Sequence, residues 1–307
     1  MTLPSPSPSS SRPRLIATDL DGTLVRGDGT VSARTRAALA AAEASGVGVL
    51  FVTARPPRWL GPLADVVGGH GRVICLGGAA VWDLDAARPL DVAGFADDDA
   101  AALVADLRAA VPGIAFVLER VDGPVFDAAY RGVTAMEAIE PGWLRPRVED
   151  TFFNGAPPVG KLLALSQADL LAARKASMQT APRVSTAAQE EFMAVVSEVV
   201  GSRAELAYSG GGGLAELLAP GVSKASALAR WCAHEGIDAA EVWAFGDMPN
   251  DLPMLRWAGR GHAVANAHPG VLAEADVVIE SNDDDGVARA IEAALEGDHP
   301  GRGVSSG

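Results

Sequence analysis

Only two cysteines, Cys75 and Cys232, occur in the 307 residues. That excludes a disulfide framework and any zinc site of the usual cysteine spacing. Both sit in apolar surroundings and read as core packing. Cations are also scarce: 25 Lys and Arg stand against 39 Asp and Glu, a formal net charge of −14. This balance argues against nonspecific binding to nucleic acid or to an anionic membrane surface. A small anionic substrate stays open, because a metal and a few local cations can reverse the sign of a pocket. No apolar run reaches the roughly 18 residues that span a bilayer. The opening stretch, rich in Ser and Pro, has no apolar segment of the signal-peptide kind. A disordered lead over 1–13 and a cytoplasmic location are the expectations.

Hydrophobic residues make up 49% of the chain, enough for a sizeable core in one large or two modest domains. Residues 15–17 read as a buried strand, too short for a helix. Ser32 is placed to cap a helix over 33–44, which ends before Gly46. Residues 47–53 form a second apolar strand, as in a parallel sheet covered on both faces. Pro56 and Pro57 open a helix toward Val67, and 73–76 is a third strand. This is the doubly wound α/β alternation, with a mostly parallel sheet.

From Trp82 the rhythm changes. Residues 90–95 are extended, Asp97 caps a helix to Ala110, and strands at 114–119 and 125–129 flank a turn at Asp122-Gly123. A strand at 159–165 and helical stretches at 168–178 and 188–199 complete an α+β module. The glycine run at 210–213 lacks the Lys-Ser/Thr of a phosphate loop and reads as a joint. Alternation then resumes, with strands at 214–218, 242–245, 263–265 and 277–279. Helices are expected at 223–234, 250–257 and 286–295. The expected organisation is a core from 14–81 and 209–296, an inserted α+β domain over 82–208, and a disordered tail over 297–307.

The first strand runs into Asp19-Leu20-Asp21-Gly22-Thr23. Residues two apart in extended chain share a face, so the two acids could converge on one ligand. Two carboxylates at the end of a buried strand need a cation or a shared proton to be tolerated. The plainer alternative is an acidic turn. Thr53 ends the second strand, where its hydroxyl and the next N–H could hold a phosphate oxygen; it could equally be a good strand residue. Lys224 opens a helix, a place the helix dipole disfavours for a cation unless an anion binds there; a solvated surface lysine is the alternative. In Phe245-Gly246-Asp247-Met248-Pro249-Asn250-Asp251 an apolar strand again ends in acids. These suit Mg²⁺, or act only as helix caps. His268 reads as a helix cap, and His70 as a surface residue.

The ordered set D-L-D-G-T, Thr53, Lys224 and G-D-x-x-N-D resembles the four motifs of the haloacid dehalogenase (HAD) superfamily. The long insert between the second and third motifs looks like the Cof-type phosphatase branch with a C2-type α/β cap. Glu216–Lys224 (E-L-L-A-P-G-V-S-K) and Ala263–Pro269 (A-V-A-N-A-H-P) match that branch too. The resemblance covers roughly 14–296. It implies a HAD-like Rossmannoid core and a Mg²⁺-dependent phosphatase of a small phosphorylated metabolite, a sugar phosphate among the candidates. Asp19 would be the nucleophile that forms an aspartyl-phosphate, and Asp21 the general acid and base. Thr53, Lys224 and Asn250 would contact the phosphoryl group. Asp19, the Asp21 carbonyl and Asp247 would bind Mg²⁺, with Asp251 as ligand or support.

A phosphomutase with the same intermediate and a non-catalytic metabolite-binding module are the rival readings. Two departures stand out: Gly77-Gly78-Ala79 where the branch has Asn-Gly-Ala, and Ala225 where Gly follows the motif lysine. Discrimination between substrates is expected from the insert, with Trp82, Arg120, Tyr130, Arg131, Trp143 and Arg145 as candidate contacts.

Overall fold

The computed structural model describes residues 12–63, 71–130, 139–166, 186–207 and 214–296. The lead over 1–11, His70, Arg131, the helical stretch at 168–178, the glycine joint and the tail from 297 lie outside the described residues. The chain begins with β1 (Leu15–Thr18), α1 (Ala33–Ala44), β2 (Gly48–Val52) and β3 (Arg72–Cys75). Next come β4 (Ala80–Asp83), β5 (Arg88–Val92), α2 (Asp97–Ala110), β6 (Ala115–Arg120) and β7 (Gly123–Asp127). β8 (Leu144–Arg145), β9 (Lys161–Leu165), α3 (Thr186–Val200), β10 (Glu205–Ala207) and β11 (Leu214–Leu218) follow. The chain closes with α4 (Lys224–Glu235), β12 (Val242–Gly246), α5 (Leu252–Trp257), β13 (Arg260–Val264), α6 (Pro269–Leu272), β14 (Val277–Ile279) and α7 (Gly286–Glu296). Two compact units divide the chain at Thr53/Ala54, Gly61/Pro62, Val73/Ile74 and Ser223/Lys224.

In the first unit the strands run β14-β13-β12-β1-β2, each pair parallel. β1 is buried along its whole length, and β12 likewise, as strands covered on both faces must be. α1 starts where the sequence places it: the Ser32 hydroxyl accepts from the Thr35 N–H at 2.9 Å, supplying one of the partners that a helix start lacks. Its buried face (Thr35, Ala38, Leu39, Ala42) is narrow and built of small residues, and α1 packs on α7.

The second unit holds a six-stranded sheet, β10-β11-β9-β6-β7-β8, antiparallel except for the β7–β8 pair. All six residues of β6 are buried, Glu119 and Arg120 included. Charges in such a place need partners. Glu119 forms a forked ion pair with Arg58, and Arg120 pairs with Asp97. Asp127 is tied three ways: Arg108 Nη2 and the backbone N–H groups of Phe116 and Val148 all donate to it.

Several expectations are corrected. The strand at Leu214–Leu218 does not resume the first unit's sheet but pairs antiparallel with β9 and β10 in the second. The local sequence of a five-residue strand says nothing of its partners, and these are set by register: Glu216 of β11 lies opposite Leu163 of β9, and its carboxylate meets Lys161 Nζ at 2.8 Å. The helix expected from Pro56 is two short 3-10 turns, Pro57–Trp59 and Gly61–Leu63, in a stretch too proline- and glycine-rich to propagate α-helix. The helix expected from Asn250 begins instead as a 3-10 turn, Pro249–Asp251. β4, β8 and β10 were not foreseen.

Candidate active site

Parallel strands of an open α/β sheet present their carboxyl ends together, and the first unit gathers its polar groups there. Asp19 follows β1, Thr53 follows β2, and Asp247 follows β12. Asp19 is anchored through its N–H to the Phe245 carbonyl at 3.0 Å. Lys224 opens α4 and points inward, not to solvent. Its Nζ donates to Asp19 Oδ1 at 2.6 Å and to Asp251 Oδ1 at 2.7 Å, with all three side chains at least 93% buried. Carboxylate oxygens of Asp19, Asp247 and Asp251 lie within 4.8 Å of one another.

The supporting contacts assign different duties to the acids. Asp251 Oδ2 accepts from the N–H groups of Asp247 and Met248 at 3.1 and 3.0 Å, while Oδ1 takes Lys224. Both of its oxygens are engaged in shaping the loop. Asp247 Oδ1 accepts from the Thr23 hydroxyl at 2.9 Å. Its Oδ2 packs beneath Gly22, where a Cβ would sit 2.4 Å away, and Gly22 holds φ +82°. Both facts demand glycine there. Gly246 is equally constrained, since a Cβ would meet the Asp251 Cβ at 2.5 Å.

Burial is the largest influence on Asp19 and lifts its carboxyl well above the ordinary carboxylate range. Lys224 opposes that, while Asp251 and Asp247 add to it, so one ammonium does not offset three crowded acids. Asp247 is raised to about 6, by burial first and then by Asp251, against the Thr23 hydrogen bond. Burial alone would push Lys224 down, but the carboxylates of Asp19 and Asp251 outweigh it and hold the ammonium above the usual lysine range.

Asp21 stands apart: its side chain is exposed, and it is not among the clustered acids of the described residues. β1 ends at Thr18, so the same-face rule for residues two apart in a strand no longer applies, and the fully buried Leu20 turns Asp21 outward. Thr53 is fully buried. Asn250 is half-buried, and its Oδ1 is a buried atom without a partner. His268 caps α6, accepting at Nδ1 from the Gly270 N–H at 3.1 Å.

Two contributors, Asn266 and Asn282, went unforeseen. Asn266 Nδ2 donates to the Gly22 carbonyl at 2.7 Å and its Oδ1 accepts from the Asn282 N–H at 3.0 Å. Asn282 Nδ2 in turn donates to the Val25 carbonyl at 2.8 Å. With Thr23 they pin the turn that carries Gly22 against Asp247. The A-N-A stretch contained the signal, but its target lies 244 residues away in the chain.

Of the candidate contacts in the second unit, Tyr130 is core, tilted against Phe126. Arg145 donates back to the Gly142 and Leu144 carbonyls. Trp82, Arg120 and Trp143 line one cavity. Gly77, in place of the Asn seen in the branch, holds φ +69°, and a Cβ there would lie 3.2 Å from Leu218 Cδ1. A side chain there would require the Leu218 side chain to give by a few tenths of an ångström.

Comparison with known proteins gives a consistent picture. The haloacid dehalogenase-like hydrolase family matches residues 16–291. YxeH of Bacillus subtilis is 29% identical over 283 residues, covering 91% of this chain and 97% of that protein. The pyridoxal phosphate phosphatase YbhA of Escherichia coli is 27% identical over 288 residues, covering 92% and 98%. Among solved structures, the HAD-superfamily phosphatase BT1666 from Bacteroides thetaiotaomicron shares the fold. It superposes with a TM-score of 0.73 at 22% identity, over 96% of this chain and 98% of its own. No helix among the described residues is long and apolar enough to cross a membrane.

Proposed function

The chain belongs to the haloacid dehalogenase-like hydrolase family, and from that premise we propose that it is a Mg²⁺-dependent phosphatase of a small phosphorylated metabolite, working in the cytoplasm through an aspartyl-phosphate on Asp19. It is a phosphoric monoester hydrolase; the metal, the intermediate and the residue roles are our reading. The observation that carries this reading is the buried contact between Lys224 Nζ and Asp19 Oδ1 at 2.6 Å. It holds a carboxylate oxygen in place at a strand end, beside a cation suited to a phosphoryl oxygen.

The cluster fits a divalent cation. Three buried acids around one ammonium carry excess negative charge when ionised, and hard oxygen donors favour Mg²⁺. Asp19, Asp247 and the Asp21 carbonyl would hold it, while Asp251, with both oxygens occupied, fixes Lys224 and the loop. When bound, Mg²⁺ supplies neutralisation of the charge on the transferring group.

The chain's own residues then do the following. Asp19 attacks phosphorus, the bond to the ester oxygen breaks, and Asp21 gives that oxygen a proton. Asp21 next takes a proton from water, which attacks the aspartyl-phosphate, releasing inorganic phosphate and restoring Asp19. Lys224, Thr53 and Asn250 hold phosphoryl oxygens. The buried Asn250 Oδ1 is an acceptor without a protein partner, and a phosphoryl oxygen, itself an acceptor, would be held instead through the Nδ2 donor of the amide. These residues bind only the phosphoryl end that every phosphomonoester shares. Discrimination is therefore proposed for the inserted domain, 82–208.

A phosphate-release screen across sugar, nucleotide and cofactor monophosphates, pyridoxal phosphate included, tests the reading. Release is expected with Mg²⁺ and not after exhaustive EDTA. Full activity after EDTA, or no release from any ester, overturns it; phosphoryl transfer to a second substrate position without free phosphate would mark a mutase.

A further inference from the structure

We propose that Asn282 and Asn266 are positioning residues for Asp21: they clamp the turn that carries it from outside, and so hold the general acid and base in place without touching a reacting atom. This deepens the phosphatase reading and rests on its assignment of Asp21.

Asp21 needs such support. Asp19 is held by Lys224 and by the Phe245 carbonyl, and Asp247 by Thr23. Asp21 lies beyond the end of β1, is exposed, and stands outside the acid cluster of the described residues. A group that must meet first an ester oxygen and then a water has to be placed closely. An error of about 1 Å can cost about a hundredfold in rate.

The turn closes on itself, with the N–H groups of Thr23, Leu24 and Val25 all donating to the Leu20 carbonyl at 3.2, 3.0 and 2.8 Å. Its carbonyls at Gly22 and Val25 are bonded from elsewhere in the chain. Asn266, in the loop after β13, donates to the first at 2.7 Å, and Asn282, in the loop after β14, to the second at 2.8 Å. The two asparagines are joined, since the Asn282 N–H donates to Asn266 Oδ1 at 3.0 Å. With that oxygen engaged, the amide of Asn266 can face Gly22 only with its nitrogen.

The loop that carries Asn282 is shaped around these contacts. Asp283 Oδ1 accepts from the Gly27 N–H, and Asp285 Oδ1 from Arg26 Nη2, both at 2.8 Å. One loop thus fastens three successive residues, Val25, Arg26 and Gly27. It is ordered in advance: Ser281 Oγ donates to Asp284 Oδ2 at 2.6 Å, and the Gly286 N–H to the Ser281 carbonyl at 3.0 Å. Asp285 holds φ +60°, a conformation a non-glycine residue adopts at a cost.

A change at Asn266 also reaches the acid cluster, because Gly22 packs on Asp247. Asn282 grips the other end of the turn. Asn282→Ala removes its bond to Val25, whose residue is 3% exposed, and keeps the N–H that Asn266 uses. A buried carbonyl that loses its partner loosens the turn.

The leaving group separates misplacement of Asp21 from damage to the cluster. An alcohol departs as the P–O bond breaks and its oxygen takes the proton of Asp21, whereas p-nitrophenolate departs as the anion and needs none. The measurement is kcat/KM, which covers the reaction through that departure. For Asn282→Ala it should fall about tenfold or more with the best alkyl phosphate from the phosphate-release screen, and less than about threefold with p-nitrophenyl phosphate. Asn282→Asp, which keeps the volume and loses the donor, should behave alike. A disturbed metal site or a poorly folded protein would depress both esters equally.

Hydrogen exchange of the full chain reads the clamp without catalysis. The amides of Thr23, Leu24 and Val25 should exchange about tenfold faster in Asn282→Ala, the worth of one net hydrogen bond. Thermal unfolding confirms that each variant is folded. If the Asn282 variants are not, Asn266→Ala, at an exposed position, carries both measurements. Unchanged exchange, an equal loss with both esters, or no loss with the alkyl phosphate overturns the proposal and leaves the phosphatase reading standing. Release of phosphate from no ester by the parent protein refutes that reading, and this proposal with it.

Discussion

Lys224 and Asp19 stand 205 residues apart in the chain and meet at 2.6 Å, both almost wholly removed from water. The same ammonium holds Asp251 at 2.7 Å, so one cation organises two of the three clustered acids.

Lys224→Met should therefore cost stability as well as activity. It strands buried carboxylates, for which the loss of one partner costs about 3–5 kcal/mol. Urea denaturation without metal is expected to show a large drop in midpoint, partly recovered by saturating Mg²⁺. An unchanged midpoint would mean that the pair is not a structural contact.

Asp19→Asn should have the opposite signature. The side chain keeps its shape and loses a charge that burial, Asp251 and Asp247 all disfavour. We expect a melting temperature equal to or above that of the parent, with phosphate release reduced by several orders of magnitude, as for loss of a nucleophile. Residual activity within tenfold of the parent would remove Asp19 from its role.

The pH dependence of metal binding follows from Asp247. In the metal-free protein its pKa is raised to about 6, above the ordinary value near 3.9 in the unfolded chain. Between those values the folded state holds a proton that the unfolded state lacks. Asp247 therefore contributes stability below about pH 4 that is lost as pH rises through 6. Mg²⁺ competes with that proton. The stabilisation conferred by Mg²⁺, read as a melting shift, should be small at pH 5 and grow as pH passes about 6. A shift independent of pH from 5 to 8 would contradict this.

His262 produces an opposing effect away from the site. Its ring stacks on Phe245 at 4.4 Å, and burial, helped by Arg260, pushes its pKa down to about 4. The unfolded chain takes up a proton near pH 6.5 that the folded chain refuses, so stability is complete above 6.5 and falls as pH drops toward 4. The loss is on the order of 3 kcal/mol at ~1.4 kcal/mol per unit. His262→Phe should remove most of it, measured by denaturation at pH 7.5 and pH 4.5. Equal acid sensitivity in the variant would refute the assignment.

Much of this site is legible in the sequence for a simple reason: in a buried parallel sheet, chemistry has to sit where apolar strands stop. Asp19, Thr53 and Asp247 all occupy such stops, and Lys224 stands at a helix start, where the dipole disfavours a cation unless an anion binds. Partners across the chain were not legible. Nothing local to Leu214–Leu218 reveals that it pairs with β9, nor does Asn266 announce that it holds Gly22. The expectation that Asp19 and Asp21 share a face used the rule for extended chain, but β1 ends at Thr18 and the rule does not reach them. The Lys224 alternatives were separated only by three-dimensional contact, since a solvated lysine and a buried one look alike in a row of letters.

The most direct test of the central claim is chemical. With the best substrate from the phosphate-release screen, Asp21→Asn protein should accumulate the covalent intermediate, because the group that activates water is gone. Acid quenching and mass spectrometry of the digested protein should then find one phosphoryl group on the peptide containing Asp19, and none in Asp19→Asn protein. Phosphate release at the parental rate with no phosphorylated peptide, or a phosphoryl group on any other residue, would contradict the account.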